Sequence, residues 1–382
     1  CGERGDCLFS GGGMYLSSDP EDFGFDNREL TRNRCNIQEF NLANNMYSNN
    51  SAQFGNTLAN RFYDNNYNMT QSIFDVANCQ ADEISPIWVL IEPEANSDIS
   101  GSSANLCSFE GMDVYVDPNQ DQECIINGCG EENNPFKTIS WTLELIIPSE
   151  LNPVTIHLAN GDYSFAESGE SFPIQLPPYV SIVGESREFT ILDATNFDTV
   201  IELESQTSIP QRGNNISNLT IQGSSGAGAL INFSNPSFSN VKICNNQGTG
   251  ISINESDSNF YNCTISNNSR GISVYSGSPL IENVEIKENI IEYDEGFAAG
   301  IFIGEDALPT LRNVLIYDNE IITEPPSWYV NSFNYYSDGY AVGGGIYLEG
   351  DATFDNVSVF DNYAPIAGGV YIDGDMNIAN LE

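Results

Sequence analysis

The sequence predicts an all-β chain: a parallel β-solenoid with coils of about 22 residues. Three observations predict it. A segment of the form Asn-x-x-Ile recurs, a second asparagine follows most copies six residues later, and a glycine then opens a short strand of alternating apolar residues. The first element reads Asn218-Leu-Thr-Ile221, Asn240-Val-Lys-Ile243, Asn262-Cys-Thr-Ile265, Asn283-Val-Glu-Ile286, Asn313-Val-Leu-Ile316 and Asn356-Val-Ser-Val359. The second is Asn246, Asn268, Asn289, Asn319 and Asn362. The third is Gly250-Ile-Ser-Ile253, Gly271-Ile-Ser-Val274, Gly300-Ile-Phe-Ile303, Gly345-Ile-Tyr-Leu348 and Gly369-Val-Tyr-Ile372.

Each unit is two short strands of period two, separated by Asn/Gly turns. A unit this small cannot bury its own apolar face, but a stack of them can, with Val, Ile and Leu forming inward ladders. Asparagine tolerates left-handed backbone and is placed to hydrogen-bond its copy in the next coil. Cys263 stands where Val241 and Val284 stand in neighbouring units, so it reads as a buried apolar filler. A leucine-rich repeat would need a helix in each unit, and the pattern here is strand only. The first four copies start 22, 22 and 21 residues apart; the later gaps of 30 and 43 hold insertions.

On these motifs the chain resembles the right-handed parallel β-helix proteins of the pectin-lyase-like superfamily, of a non-catalytic surface or extracellular type. The likeness extends upstream. Asp113-Val-Tyr-Val-Asp117 and Gly130-Glu-Glu-Asn-Asn-Pro-Phe-Lys-Thr-Ile139 resemble that family's opening segment, and residues 140–147 its short capping helix. Val154-Thr-Ile-His-Leu158 with Gly161-Asp-Tyr-Ser164 resembles the first full coil, and Val180–Gly184 and Thr190–Asp193 continue it. The resemblance implies the fold over 112–382. It does not choose a function, because the superfamily holds lyases, hydrolases, adhesins and inert stalks.

The N-terminal segment carries Gly11-Gly-Gly-Met-Tyr-Leu16, close to Gly343-Gly-Gly-Ile-Tyr-Leu348 and to Gly368–Ile372. Residues 1–80 therefore read as β-helix-like coils from the end of a solenoid, 81–111 as a linker, and 112–382 as the main solenoid. Open stack edges are expected at Met14, Tyr15 and Leu16 and at Val370, Tyr371 and Ile372, where unpaired backbone groups invite another strand. The N-terminal coils then dock on the same chain, dock on the next subunit to build a head-to-tail homopolymer, or belong with the solenoid to a longer multi-helix protein.

Composition narrows the partners. Fifty-four Asp and Glu face 12 Lys and Arg, a net charge of −42, which excludes general nucleic-acid binding. No apolar run reaches 18 residues, so no membrane-spanning helix is expected. Nine cysteines, no CxxC pair, one histidine and little lysine suit an extracellular or cell-surface protein in an oxidising compartment. Cys124 and Cys129 are close enough for a local bridge, though spacing does not fix connectivity. No signal peptide is visible, and Cys1 suits either a processed lipoprotein or a chain that begins mid-protein. Asn-x-Ser/Thr sequons occur, at Asn68, Asn215 and Asn254 among others.

Superfamily enzymes that cut polygalacturonan carry Asn-Thr-Asp, Asp-Asp, Gly-His-Gly and Arg-Ile-Lys, and none of these strings occurs here. The solenoid's Arg187, Arg212, Lys242, Arg270, Lys287 and Arg312 fall at unlike repeat positions and are not expected to converge. His157 is expected to face outward without a partner. Calcium is the cofactor the carboxylates suggest. Asp117, Asn119, Asp121 and Glu123 place oxygen ligands at alternate positions, without the glycine and glutamate of an EF-hand. A second set follows the glycine strands: Glu255/Asp257, Glu305/Asp306, Glu349/Asp351 and Asp373/Asp375, like charges that stacking brings together. The insertion 323–342 carries Trp328, Tyr329, Phe333, Tyr335, Tyr336 and Tyr340, which suit glycan faces or a protein partner.

The function expected is a non-enzymatic extracellular structural protein, a self-assembling filament or surface-stalk subunit. The alternatives are a carbohydrate-binding adhesin and, after it, a polysaccharide lyase or hydrolase.

Overall fold

The computed structural model describes residues 112–124, 129–146, 148, 150–204, 211–292, 297–322 and 342–373, and the backbone of eight short strands between Met14 and Asn105. The chain divides into two units. One comprises 1–110, 124–130 and 141–147; the other comprises 111–123, 131–140 and 148–382.

The larger unit is a right-handed parallel β-helix. Each coil lays down three strands, and every pairing among its named strands is parallel. One column runs Val154–Leu158, Val180–Gly184, Gln211–Ser217, Ser234–Ser239, Asn259–Tyr261 and Leu280–Glu282. A second runs Gly161–Ser164, Thr190–Asp193, Thr220–Gln222, Lys242–Cys244, Thr264–Ser266 and Glu285–Lys287. Thr310–Tyr317 is long enough to pair with both, which joins them into one 15-stranded sheet. The third column is a separate eight-stranded sheet that ends in Ile301–Ala307, Ile346–Leu348 and Val370–Ile372.

Period two in sequence becomes an inside and an outside. Ile243, Ile265, Ile286 and Ile316 stack in register and are wholly buried. So are Ile251, Ile272, Ile301 and Ile346 on the third sheet. Phe238 and Phe260 stack inside at 5.1 Å. Cys263 is 2% exposed among them, as its place beside Val241 and Val284 implies. Each such aliphatic side chain contributes roughly 1.5–3 kcal/mol by leaving water, and no coil collects that contribution without a neighbour.

Both asparagine rows form ladders. Asn218, Asn240, Asn262, Asn283, Asn313 and Asn356 all adopt left-handed backbone, with φ between 51° and 55°. Asn240 donates to Asn218 at 2.9 Å, and Asn356 to Asn313 at 2.8 Å. The inner row is more deeply held. Asn246 donates to Asn268, Asn268 to Asn289, Asn289 to Asn319 and Asn319 to Asn362, at 2.9, 3.1, 2.8 and 2.8 Å. One refinement applies: in this row the left-handed residue is the one before the ladder asparagine, namely Asn245, Asn267, Glu288, Asp318 and Asp361.

Near the start of the solenoid, the helix Ile139–Leu145 has its first N–H groups held by a distant carboxylate. Glu170, wholly buried, accepts from Ile139 N at 2.7 Å, Ser140 N at 2.9 Å, Ser171 N at 3.1 Å and the Ser140 hydroxyl. This serves the role of an N-cap from 30 residues away. Cys124 and Cys129 form a disulfide with Cα atoms 5.7 Å apart.

The smaller unit also stacks strands in parallel. Met14–Ser17 pairs with Leu58–Arg61 and that with Val89–Leu90; Met46–Tyr47 pairs with Ile73–Asp75 and that with Ser103–Asn105; Glu39–Asn41 pairs with Asn66–Asn68. Short parallel strands are thus described between Met14 and Asp75. Within 81–111, the described strands Val89–Leu90 and Ser103–Asn105 add a further parallel pairing to each of two of these sheets.

Two expectations about the outer surface need correction. His157 does face outward, but it has partners. Its Nε2 lies 2.8 Å from Asp113 Oδ1, and its ring stacks on Tyr115 at 4.8 Å. Stacking of coils put residues 44 positions apart side by side. Arg187 and Lys242 also share one face. Arg187 spans to Thr264 Oγ1 at 2.5 Å and Asn240 Oδ1 at 3.5 Å, and Lys242 is in register with Thr264. Both cations draw the neighbouring Cys244 thiol pKa down, while burial, the larger influence, pushes it up.

Candidate functional site

The third sheet presents its second-position residues outward: Ser252, Ser273, Phe302, Tyr347 and Tyr371, in register across five coils. The last three are aromatic and stacked. Phe302 and Tyr347 are 5.7 Å apart with planes at 13°, and Tyr347 and Tyr371 are 5.4 Å apart at 12°. Phe297 lies across Tyr347 at 4.7 Å, and the Arg270 guanidinium sits 5.9 Å over the Phe302 ring. Ala298, Val342 and Ile366 join them, forming a second apolar cluster outside the solenoid core. Tyr347 is 3% exposed although it points away from the lumen. Its hydroxyl lies 3.1 Å from both Glu349 Oε1 and Asp373 Oδ2, so one proton faces two carboxylates. Burial, then the charge of Glu349, holds the Tyr347 phenol well above its usual range.

The aromatic column leads to the final rung, where burial falls away. Leu348 is 1% exposed, while Ile372, its register partner, is 40% exposed. Ile346 is wholly buried and its partner Val370 only half-buried. Ile316 is wholly buried and its partner Val359 half-buried. Phe360 beside it is 44% exposed. Val370–Ile372 also stands at the end of its sheet, paired with Ile346–Leu348 on one side. Val370, Tyr371 and Ile372 thus form the last described strand of this sheet, an apolar row more exposed than the one before it.

The calcium expectations meet a different geometry. Asp117 Oδ1 accepts from Asn119 N and Nδ2 at 3.0 and 2.8 Å, and its Oδ2 from Gln120 at 3.1 Å. Glu123 points to the backbone N–H groups of Lys137 and Thr138, at 2.7 and 3.1 Å. Asp121 is exposed. Turn closure engages Asp117 and the segment before the helix Ile139–Leu145 engages Glu123, and the loop does not gather Asp117, Asp121 and Glu123 into a cluster. In the second set, Asp257 accepts from Ser278 N at 2.9 Å, and Glu305, Asp306 and Asp351 are exposed. Among the described residues, no three His, Cys, Asp or Glu side chains gather. Asp375, Trp328, Tyr329, Phe333, Tyr335, Tyr336 and Tyr340 lie outside the described residues. Of Met14, Tyr15 and Leu16, the backbone strand alone is described.

Phe302, Tyr347 and Tyr371 were legible: they are the second letters of Gly-Ile-Phe-Ile, Gly-Ile-Tyr-Leu and Gly-Val-Tyr-Ile. At Phe302 and Tyr347 the inward pair alone carries the sequence reading, while Tyr371 enters it as an edge residue.

With this geometry in hand, comparisons with known proteins give the following. Residues 126–336 match the family described as protein of unknown function (DUF1565). No curated protein matches the chain in sequence. Among solved structures, the pectate lyase Pel9A is similar at 14% identity and a TM-score of 0.41, over 66% of this chain and 64% of that one. ORF18 of Geobacillus virus E2 is similar at 13% identity and a TM-score of 0.41, over 64% and 48%. The pectin methylesterase from carrot is similar at 15% identity and a TM-score of 0.33, over 66% and 65%. The chain spans less than two thirds of the length of each. At such identities the pairings say nothing about what this chain binds or turns over.

Proposed function

The chain belongs to the DUF1565 family of proteins of unknown function, and from that premise we propose that it is a non-enzymatic extracellular structural protein whose solenoid is lengthened head to tail by further coils of its own kind. One observation supports this: among the described residues, Leu348 is 1% exposed and its register partner Ile372, on the last described rung, is 40% exposed, an apolar row that a further rung would cover. A further rung of the same shape, pairing in parallel with Val370–Ile372, would cover that row. The Cys124–Cys129 disulfide suits an oxidising compartment. A net charge of −42 opposes association through self-repulsion, so salt should promote it.

Sedimentation velocity and electron microscopy test the reading. Linear oligomers should lengthen with protein concentration and between 20 and 300 mM salt (about 20 Å and 6 Å screening lengths). Ile372→Lys should shorten them. A monomer at every concentration and ionic strength would remove the reading.

Carbohydrate binding is the second reading, favoured by the rings on the third sheet's outer face. Tyr275 is 47% exposed and 5.5 Å from Phe302. A glycan array whose signal is unchanged by Tyr275→Ala would count against it.

A further inference from the structure

We infer that Arg187 and Lys242 form a site for a doubly charged oxyanion: inorganic phosphate or sulfate, or a phosphate monoester. The inference goes beyond the structural role proposed above and does not depend on it.

Three observations carry it. The first is placement. Thr220, Lys242 and Thr264 follow one another in register on the outer side of the second column, one per coil. The Thr220 hydroxyl donates to Arg187 O at 2.6 Å, while the Arg187 guanidinium reaches Thr264 Oγ1 at 2.5 Å and Asn240 Oδ1 at 3.5 Å. The Arg187 side chain thus starts at one rung and ends two rungs on, crossing the rung that carries Lys242. Strands about 4.8 Å apart put the guanidinium one rung from Lys242. Burial pushes the Cys244 thiol pKa up, and the charges of Lys242 and Arg187 pull it down, so both cations bear on one atom.

The second is a missing counter-charge. Carboxylates are abundant, with 54 Asp and Glu against 12 Lys and Arg. Among the described residues, Lys287 pairs with Glu285 at 3.6 Å and Arg312 with Asp355 at 3.1 Å, while Arg187 and Lys242 pair with no carboxylate. The acids around them are engaged elsewhere. Asp193 accepts from Gln222 Nε2 at 2.9 Å and from the Thr195 hydroxyl at 2.6 Å. Glu185 accepts from Asn160 N at 3.1 Å, and Glu188 lies 3.5 Å from Ser186 Oγ. Like charges on neighbouring rungs repel, and an anion between them relieves the repulsion.

The third is unspent donors. Thr264 and Asn240 take two of the five guanidinium N–H groups. Lys242 brings three more, one within reach of Cys244. Both side chains are half-buried, so the remaining donors are reachable in a partly dry setting, where charge-assisted hydrogen bonds are strong. Two positive charges match a dianion, and a single carboxylate would leave one of them unmet. The chain's net charge of −42 repels long polyanions, which favours a compact ligand.

Thermal melting of the native chain tests this, with sodium sulfate compared against sodium chloride at equal ionic strength. Matching the ionic strength removes general screening of the net charge. Sulfate at about 10 mM should raise the melting temperature by about 2 °C or more. Lys242→Gln should abolish that rise while melting no lower than the native chain in chloride, because it removes one of two repelling charges. Lys242→Arg should keep the rise. Sodium acetate should give none. Phenyl phosphate separates the sources: a rise equal to that with sulfate assigns the site to phosphate esters, and a rise with sulfate and inorganic phosphate alone assigns it to the free ion. The inference is overturned if sulfate does not stabilise the native chain beyond chloride, if Lys242→Gln responds as the native chain does, or if acetate acts as strongly as sulfate. It also fails if Lys242→Gln melts well below the native chain in chloride, since Lys242 would then have its counter-charge within the fold.

Discussion

Asn289 donates its side-chain amide to Asn319 Oδ1 at 2.8 Å across 30 residues of sequence, and both side chains are wholly buried. Asn289 also receives the backbone and side-chain amides of Asn268, at 3.0 and 3.1 Å. Its place in the row makes it donor to one coil and acceptor from another. Asn289→Ala leaves the buried Asn268 backbone N–H without an acceptor and its side-chain amide with Ile243 O alone. An unsatisfied buried group costs about 1–3 kcal/mol, so a loss of about 3 kcal/mol is expected in urea denaturation. Asn313→Ala, on the exposed ladder, should cost less. Equal losses would show that burial of the inner row contributes nothing.

Glu288 holds left-handed backbone at φ 55°, where the equivalent positions two coils earlier and one coil earlier are Asn245 and Asn267. Asparagine bears that conformation at lower cost than glutamate. Glu288→Asn should stabilise the chain by about 0.5–1 kcal/mol, seen as a raised denaturation midpoint. A lowered midpoint would mean that the Glu288 side chain is held by something other than its turn.

Glu170 accepts hydrogen bonds at both carboxylate oxygens from donors alone. Glu170→Gln turns an amide NH2 toward an N–H, so one donor loses its acceptor and a second is buried without one. A loss of about 2–3 kcal/mol is expected from calorimetry. Retention of native stability would mean that the helix Ile139–Leu145 does not depend on this cap.

Glu144 gives a pH dependence. Burial raises its pKa from 4.5 to about 7, and its Oε2 is buried without a hydrogen-bond partner. The folded chain therefore holds this proton more tightly than the unfolded chain does. Its contribution to stability is complete below about pH 4.5 and is lost as pH rises to 7. The native chain should lose melting temperature across that interval relative to Glu144→Gln, whose side chain does not titrate. Parallel melting curves for the two proteins would refute the assignment.

Gly250→Ala tests the close approach of coils. The added Cβ would stand 2.7 Å from Gly271 O and 2.9 Å from Ile265 Cγ2. Overpacking of this kind costs about 1–3 kcal/mol, and thermal melting should fall accordingly. An unchanged melting temperature would mean that the rungs have room to separate.

Much of this was legible because a solenoid repeats its environment. Ile243, Ile265 and Ile286 read as inward from their spacing alone, and Cys263 from its alignment with Val241 and Val284. The asparagine ladders followed from equal turns at equal intervals. What escaped the sequence was contact between unlike coils. His157 meets Asp113 because two early strands pair, and Glu170 meets Ile139 because a loop folds back; neither distance repeats anywhere. The loop around Asp117 read as a cation site because its oxygens alternate. Whether oxygens converge depends on which N–H groups reach them first, and Lys137 and Thr138 reach Glu123.

The two long coils depart from the stack at one corner. Both leave it just after a ladder asparagine and its short strand, at Ile290–Ile291 and Glu320–Ile321, and both rejoin before a glycine strand, at Phe297 and Val342. Meanwhile Asn289, Asn319 and Asn362 remain bonded across sequence separations of 30 and 43. The ladder thus keeps its bonding whether 30 or 43 residues separate one asparagine from the next. Adjacent coils offer sockets for cargo of different length and chemistry, whether acquired by descent or fitted at the bench.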